Sequence, residues 1–181
     1  MADQAHSTGP LPEDGYSKWA RDQRRARLAR DRVVWCVRRD LRLNHNRTLL
    51  EAKAARAEVV PLFVVDPTLI ANAGERRVAF LLDAVRWLRI ATGQTLTVRE
   101  GKPEEEVAAV AREVGATRVV AQAVASPYAK RRDGRVAKSV RLDLVGGPWI
   151  FGPDAVLKAD GMPYTVFTPY LKGGVRRCST G

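Results

Sequence analysis

Cysteine and histidine are scarce, with two of each in 181 residues. Cys36 lies inside an apolar run and Cys178 near the C-terminus, so no disulfide framework is encoded. His6 and His45 stand alone, and two isolated histidines do not make a metal site. Aromatics are only 7% of the chain, which leaves no evident stacking platform for bases. No apolar run approaches the length that crosses a bilayer. The N-terminus, MADQAHSTGPLPEDGYSKW, lacks the basic stretch and apolar core of a secretory signal, so a cytoplasmic protein with no membrane contact is expected. Phosphate loops are missing too: no GxGxxG follows the first strand, and no GxxxxGK precedes a serine or threonine. No Ser-His-acid or Cys-His arrangement is present.

What is abundant is arginine. The net charge is +11, from 31 basic and 20 acidic residues. Residues 1–32 hold 7 basic and 5 acidic side chains, so most of the excess belongs to the rest of the chain. Such a surface favours polyanions, and weak, sequence-independent contact with DNA is one expectation. Scattered arginines from a biased composition explain the same charge without any partner.

The organising stretch is VVWCVRRDLRL, Val33 to Leu43. Five apolar residues switch at once to Arg38-Arg39-Asp40, which reads as a buried parallel strand delivering polar groups at its carboxyl end. Asn44 or Asn46 can cap a helix over 47–57. EVVPLFVVD (58–66) is the second strand, with an irregularity expected at Pro61, and 68–74 reads as a loop. A helix is predicted over 75–92, with Gly93 as its cap. Further strands are expected at 95–99 and 117–121, separated by a helix from Pro103 to Gly115. A helix begins near Pro127, and 140–145 fits either its end or a fifth strand. Gly146-Gly147 and Gly173-Gly174 read as turns. The alternation argues for an α/β fold, a doubly wound and mostly parallel sheet with helices on both faces. Residues 1–31 form a basic extension, 32–170 the domain and 171–181 a tail. Asp40 and Asp66, both at strand ends, could meet as paired carboxylates, with capping and turn bonds as the competing role.

Taken together, five segments in order resemble the DNA photolyase and cryptochrome family. VVWCVRRDLRL with Asn44-His45-Asn46 is similar to its WxRRDLRLxDN opening, with His45 where aspartate is usual. VVPLFVVDP (59–67), ERRVAFLLDAVRWL (75–88), Ser126-Pro127-Tyr128 with Lys130-Arg131-Arg132-Asp133, and GMPYTVFTPY (161–170) follow in the family's order. The resemblance implies a Rossmann-like N-terminal domain with a cleft for an antenna chromophore, a deazaflavin or a folate. It implies that cleft is edged by Arg38, Arg39, Asp40, Arg77, Ser126 and Tyr128. Both acidic positions of the family's facing wall are changed, to Val124 and Ser126, and its glycine is Ala129. The family's reaction is light-driven repair of pyrimidine dimers in DNA by a carbon–carbon lyase, and FAD on a separate helical domain carries it. The resemblance implies a truncated chain without that FAD site, so no catalysis is expected of it alone. A separately encoded FAD-binding domain is an implied partner, docking near Tyr164, Val166, Phe167 and Tyr170. The alternative is a stand-alone nucleotide- or chromophore-binding module, with Arg38, Asp40, Asp66, Arg77 and Tyr128 at its edge.

Overall fold

A computed structural model describes residues 31–54, 57–149, 152 and 155–179. The expected basic extension lies outside the described residues up to residue 30. The elements are β1 (Arg32–Val37), α1 (Arg47–Ala54), β2 (Glu58–Val65), α2 (Pro67–Ala71), α3 (Glu75–Ala91) and β3 (Thr97–Glu100). They continue with α4 (Pro103–Val114), β4 (Ala116–Gln122), α5 (Pro127–Val136), β5 (Leu142–Val145) and α6 (Phe167–Ser179). The five strands pair in the order β3-β2-β1-β4-β5, and every pairing is parallel. The doubly wound α/β fold is therefore present, and 142–145 is a strand.

The continuous apolar run of β1 follows from its central place. Val33, Trp35 and Val37 point to one face and pack with Leu49 and Ala52 of α1 and Val85 and Leu88 of α3. Val34 and Cys36 point to the other, against Val107, Val110 and Ala111 of α4 and Val136 of α5. A strand buried on both faces cannot alternate apolar with polar. Sheet order reverses between β1 and β4, which puts a crevice at the carboxyl ends of these strands.

Four expectations need correction. The stretch 68–74 is not a plain loop, because α2 fills its first half with Asp66 as N-cap and Pro67 in its first turn. Pro61 introduces no irregularity: β3 pairs β2 only from Leu62 onward, so the missing N–H costs that ladder nothing. The register shift lies instead between β1 and β4 at Arg32/Val33. Gly173-Gly174 is no turn and 171–179 no tail, because α6 runs through both and across the expected boundary at 170.

Helix α4 ends as its sequence suggests, on Gly115 at φ 64, with the Gly115 N–H donating to Arg112 O. No atom lies near the position of an added Cβ, so the cost of Gly115→Ala is purely conformational. The substitution is expected to lower stability by about 1 kcal/mol, measured as a shift in the urea midpoint.

Candidate functional site

A cavity of about 570 Å³ opens where the carboxyl ends of β1, β2 and β4 meet the first turns of the helices that follow them. Much of its lining is apolar: Cys36, Val37, Phe63 and Val64 from the sheet, Leu69 and Ile70 from α2, and Phe80 and Leu81 from α3. The far side comes from Pro103 and Val107 of α4 and from Val124, Ser126, Tyr128, Ala129 and Arg132 around the start of α5.

The Arg38 side chain turns inward. Its Nη1 donates to Asp133 Oδ2 at 3.0 Å and to Gln122 O at 3.0 Å, and its Nη2 lies 2.8 Å from Asp133 Oδ1. Both side chains are over nine-tenths buried. Arg132 shares the same carboxylate, its Nε donating to Asp133 Oδ1 at 2.9 Å. A fork-to-fork pair of this kind fixes β1 against α5. Arg39 and Arg77 are exposed and line the cavity, and their side chains make no hydrogen bond or ion pair among the described residues.

Asp40 does not reach the cavity wall. It is buried in the turn after β1, accepting from the Arg38 N–H at 3.3 Å and the Thr48 hydroxyl at 3.0 Å. Asn46, not Asn44, caps α1, accepting from the Leu49 N–H at 2.9 Å. Asp66 accepts from the Thr68 N–H at 3.0 Å and from the Tyr128 hydroxyl. The two aspartates thus have separate partners and do not form a carboxylate pair. Ser126 caps α5, its Oγ accepting from the Ala129 N–H at 3.2 Å. No cluster of potential metal ligands occurs among the described residues.

Burial, and then the bond to the Asp66 carboxylate, push Tyr128 up to about 12 from its ordinary 10.0. Below pH 10 the phenol is neutral in folded and unfolded chains alike, and its donation to Asp66 is intact. Above that the unfolded phenol ionises first, so this contribution is lost as pH rises from about 10 to about 12. Tyr128→Phe should cost about 1 kcal/mol at pH 7 and flatten the alkaline fall in stability. Urea midpoints from pH 8 to 12 measure both effects.

Five of the six expected edge residues, Arg38, Arg39, Arg77, Ser126 and Tyr128, line this one cavity, and Asp40 lies behind it. Of these, Arg38 and Ser126 are committed to protein partners, while Arg39 and Arg77 are free at the rim. The sequence reading missed Arg132 as a wall residue. The Arg-Asp pair in Lys130-Arg131-Arg132-Asp133 was visible as a motif, but its wall position follows only from the packing of α5.

The DNA photolyase family profile matches residues 32–180. Deoxyribodipyrimidine photo-lyase from Thermus thermophilus is 41% identical over 145 residues, covering 77% of this chain and 33% of the relative. The enzyme of the same name from a Synechococcus species is 31% identical over 150 residues, covering 77% and 31%. A class III photolyase structure from Agrobacterium tumefaciens superposes with a TM-score of 0.68 at 20% identity, over 91% of this chain and 32% of that one, and shares its fold. The chain thus spans about a third of the length of these relatives.

Proposed function

Because the chain belongs to the DNA photolyase family, we propose that it supplies the chromophore-binding α/β domain of a light-driven DNA-repair protein. The cavity carries this reading. Its 570 Å³ falls within the range of small-molecule sites, and its largely apolar wall with a few convergent polar groups suits a planar aromatic ligand. A deazaflavin or folate ring fits that description. Arg39 and Arg77 would border such a ring at the mouth, and the Tyr128 hydroxyl, tied to Asp66, would hold the facing wall. Ala129, buried on the wall, narrows the approach on that side. When bound, the chromophore would supply light absorption. The chain's own residues would position it and exclude water.

Cleavage of the pyrimidine dimer is not assigned to these residues. In the family that step belongs to FAD on the helical domain, and we propose that this chain depends on such a domain for repair. Val166 and Phe167, 60% and 70% exposed, with Leu171 one turn further along α6, offer it an apolar surface. Tyr164 and Tyr170, expected on the same surface, are half-buried.

Titrating the purified chain with riboflavin while following its fluorescence tests the binding reading. Quenching or polarisation that saturates is expected. Illuminating the chain with dimer-containing DNA tests the second, and no repair is expected. Repair by the chain alone would overturn the dependence on an FAD domain, and no saturable binding would overturn the chromophore site.

A further inference from the structure

We propose that α2 is a lid on this cavity and that the hydrogen bond from the Tyr128 hydroxyl to the Asp66 carboxylate is the latch that keeps it shut. This rests on the reading of the cavity as a ligand site. Asp66 follows β2 directly, and Tyr128 stands in the first turn of the helix that follows β4. Strand β1 lies between β2 and β4 in the sheet. The two flanking strands are therefore about 10 Å apart, and the bond from Tyr128 to Asp66 crosses the crevice at the carboxyl end of β1. The cavity lining grades from a buried floor to an open mouth. Cys36, Val37 and Phe63 are buried, whereas Arg39, Leu69, Arg77 and Phe80 face solvent.

Helix α2 has little else to hold it. None of its residues is buried, although Leu69 and Ile70 line the cavity. The bonds from the Thr68 N–H to Asp66 and from the Asn72 side chain to Thr68 O stay within the segment. The bond from Tyr128 is the one side-chain hydrogen bond among the described residues that ties 66–73 to the rest of the chain. An element with no buried side chain and a single such tie belongs to the low-stability part of a fold, from which lids are drawn. The chemistry of the latch also keeps opening inexpensive. Asp66 is 6% exposed while the latch is closed. Once the phenol leaves, water takes its place on the carboxylate, and the half-buried Tyr128 hydroxyl finds water as well.

The Cys36 thiol lines the cavity and is 5% exposed, so its alkylation by iodoacetamide reports opening without any ligand. Cys178→Ser removes the second cysteine and leaves one thiol to follow by mass. In that background Tyr128→Phe is expected to speed alkylation about fivefold, the factor carried by one hydrogen bond of ordinary strength. Asp66→Ser keeps an acceptor at the α2 N-cap but is too short to meet the phenol. It should give the same gain, and it serves if the phenylalanine variant fails to fold. Combining the two should add nothing, because both break one bond. Gly115→Ala, of similar cost to stability, sits at the opposite edge of the sheet and should leave the rate within about twofold. Equal acceleration by Gly115→Ala would assign the labelling to global unfolding and overturn the lid. An unchanged rate in both latch variants would overturn it too, as would a further gain in the double variant. Riboflavin titration separates this reading from the one it rests on. Saturable binding without a latch effect keeps the ligand site and overturns the lid, whereas a latch effect without binding keeps the moving α2 and overturns the chromophore site.

Discussion

Asp133→Ala is expected to cost about 3–5 kcal/mol of folding stability, the penalty for leaving a buried charge without its partner. At about 2–4 °C per kcal/mol for a chain of this size, the melting temperature should fall by roughly 10 °C. The expectation comes from what remains behind. Asp133 serves both Arg38 and Arg132, and the side chains of Arg38 and Asp133 are 8% and 6% exposed. Truncating the carboxylate leaves two buried guanidinium groups facing each other with no counter-charge. Truncating Arg38 instead leaves Arg132 and Asp133 as a matched pair. Arg38→Met should therefore be milder than Asp133→Ala, although the Gln122 carbonyl also loses its donor. The Arg38→Met/Asp133→Ala double variant should be more stable than Asp133→Ala alone, because it removes one of the two stranded cations. Chemical denaturation of the three variants measures the coupling. If Arg38→Met proved as costly as Asp133→Ala, the carboxylate would not be the shared centre of the cluster.

The parts of this fold that were legible in the sequence are those whose cause is local or periodic. Five consecutive apolar residues before Arg38 mark a strand buried on both faces, and β1 is one. Pro103 and three glutamates opening a helix that closes on Gly115 mark α4 at both ends. Helix α3 was legible in extent. Val85 and Leu88 are buried, whereas Phe80 and Trp87 are 76% and 70% exposed. Helix α2 escaped because five residues are too few for a helical period; its signal was the cap, an aspartate followed by proline and threonine. Gly173 misled for a tertiary reason. An added Cβ would meet Val156 Cγ1 at 3.0 Å, so the glycine serves close packing inside α6 rather than a turn. In the site, the edge residues were legible because strand ends and the family's motifs mark them. The sharing of Asp133 between β1 and α5 was not, because its members lie 95 residues apart. Nor was the fate of Asp40 and Asp66, whose partners Thr48 and Tyr128 are set by packing.

Trp35→Ala should be comparably damaging, at about 3–5 kcal/mol, and for the opposite reason: it removes apolar contact rather than charge balance. Trp35 is 1% exposed in the central strand, paired with Pro61 of β2 on one side and Val120 of β4 on the other. Its ring lies in the cluster that joins β1 to α1 and α3. Alanine there leaves a void that neither the sheet nor two helices can close without breaking their own packing. The indole also carries a liability, because its Nε1 is buried with no hydrogen-bond partner among the described residues. Trp35→Phe gives up part of the ring but removes that unmet donor, and the two effects oppose each other. The phenylalanine variant should therefore lose only about 1–2 kcal/mol, less than half the alanine cost. Urea midpoints of the two variants, compared at constant slope, measure the ratio. Equal losses would mean that the indole N–H is stabilising after all. A far smaller loss for phenylalanine would place the stabilisation by Trp35 in the ring that both side chains share.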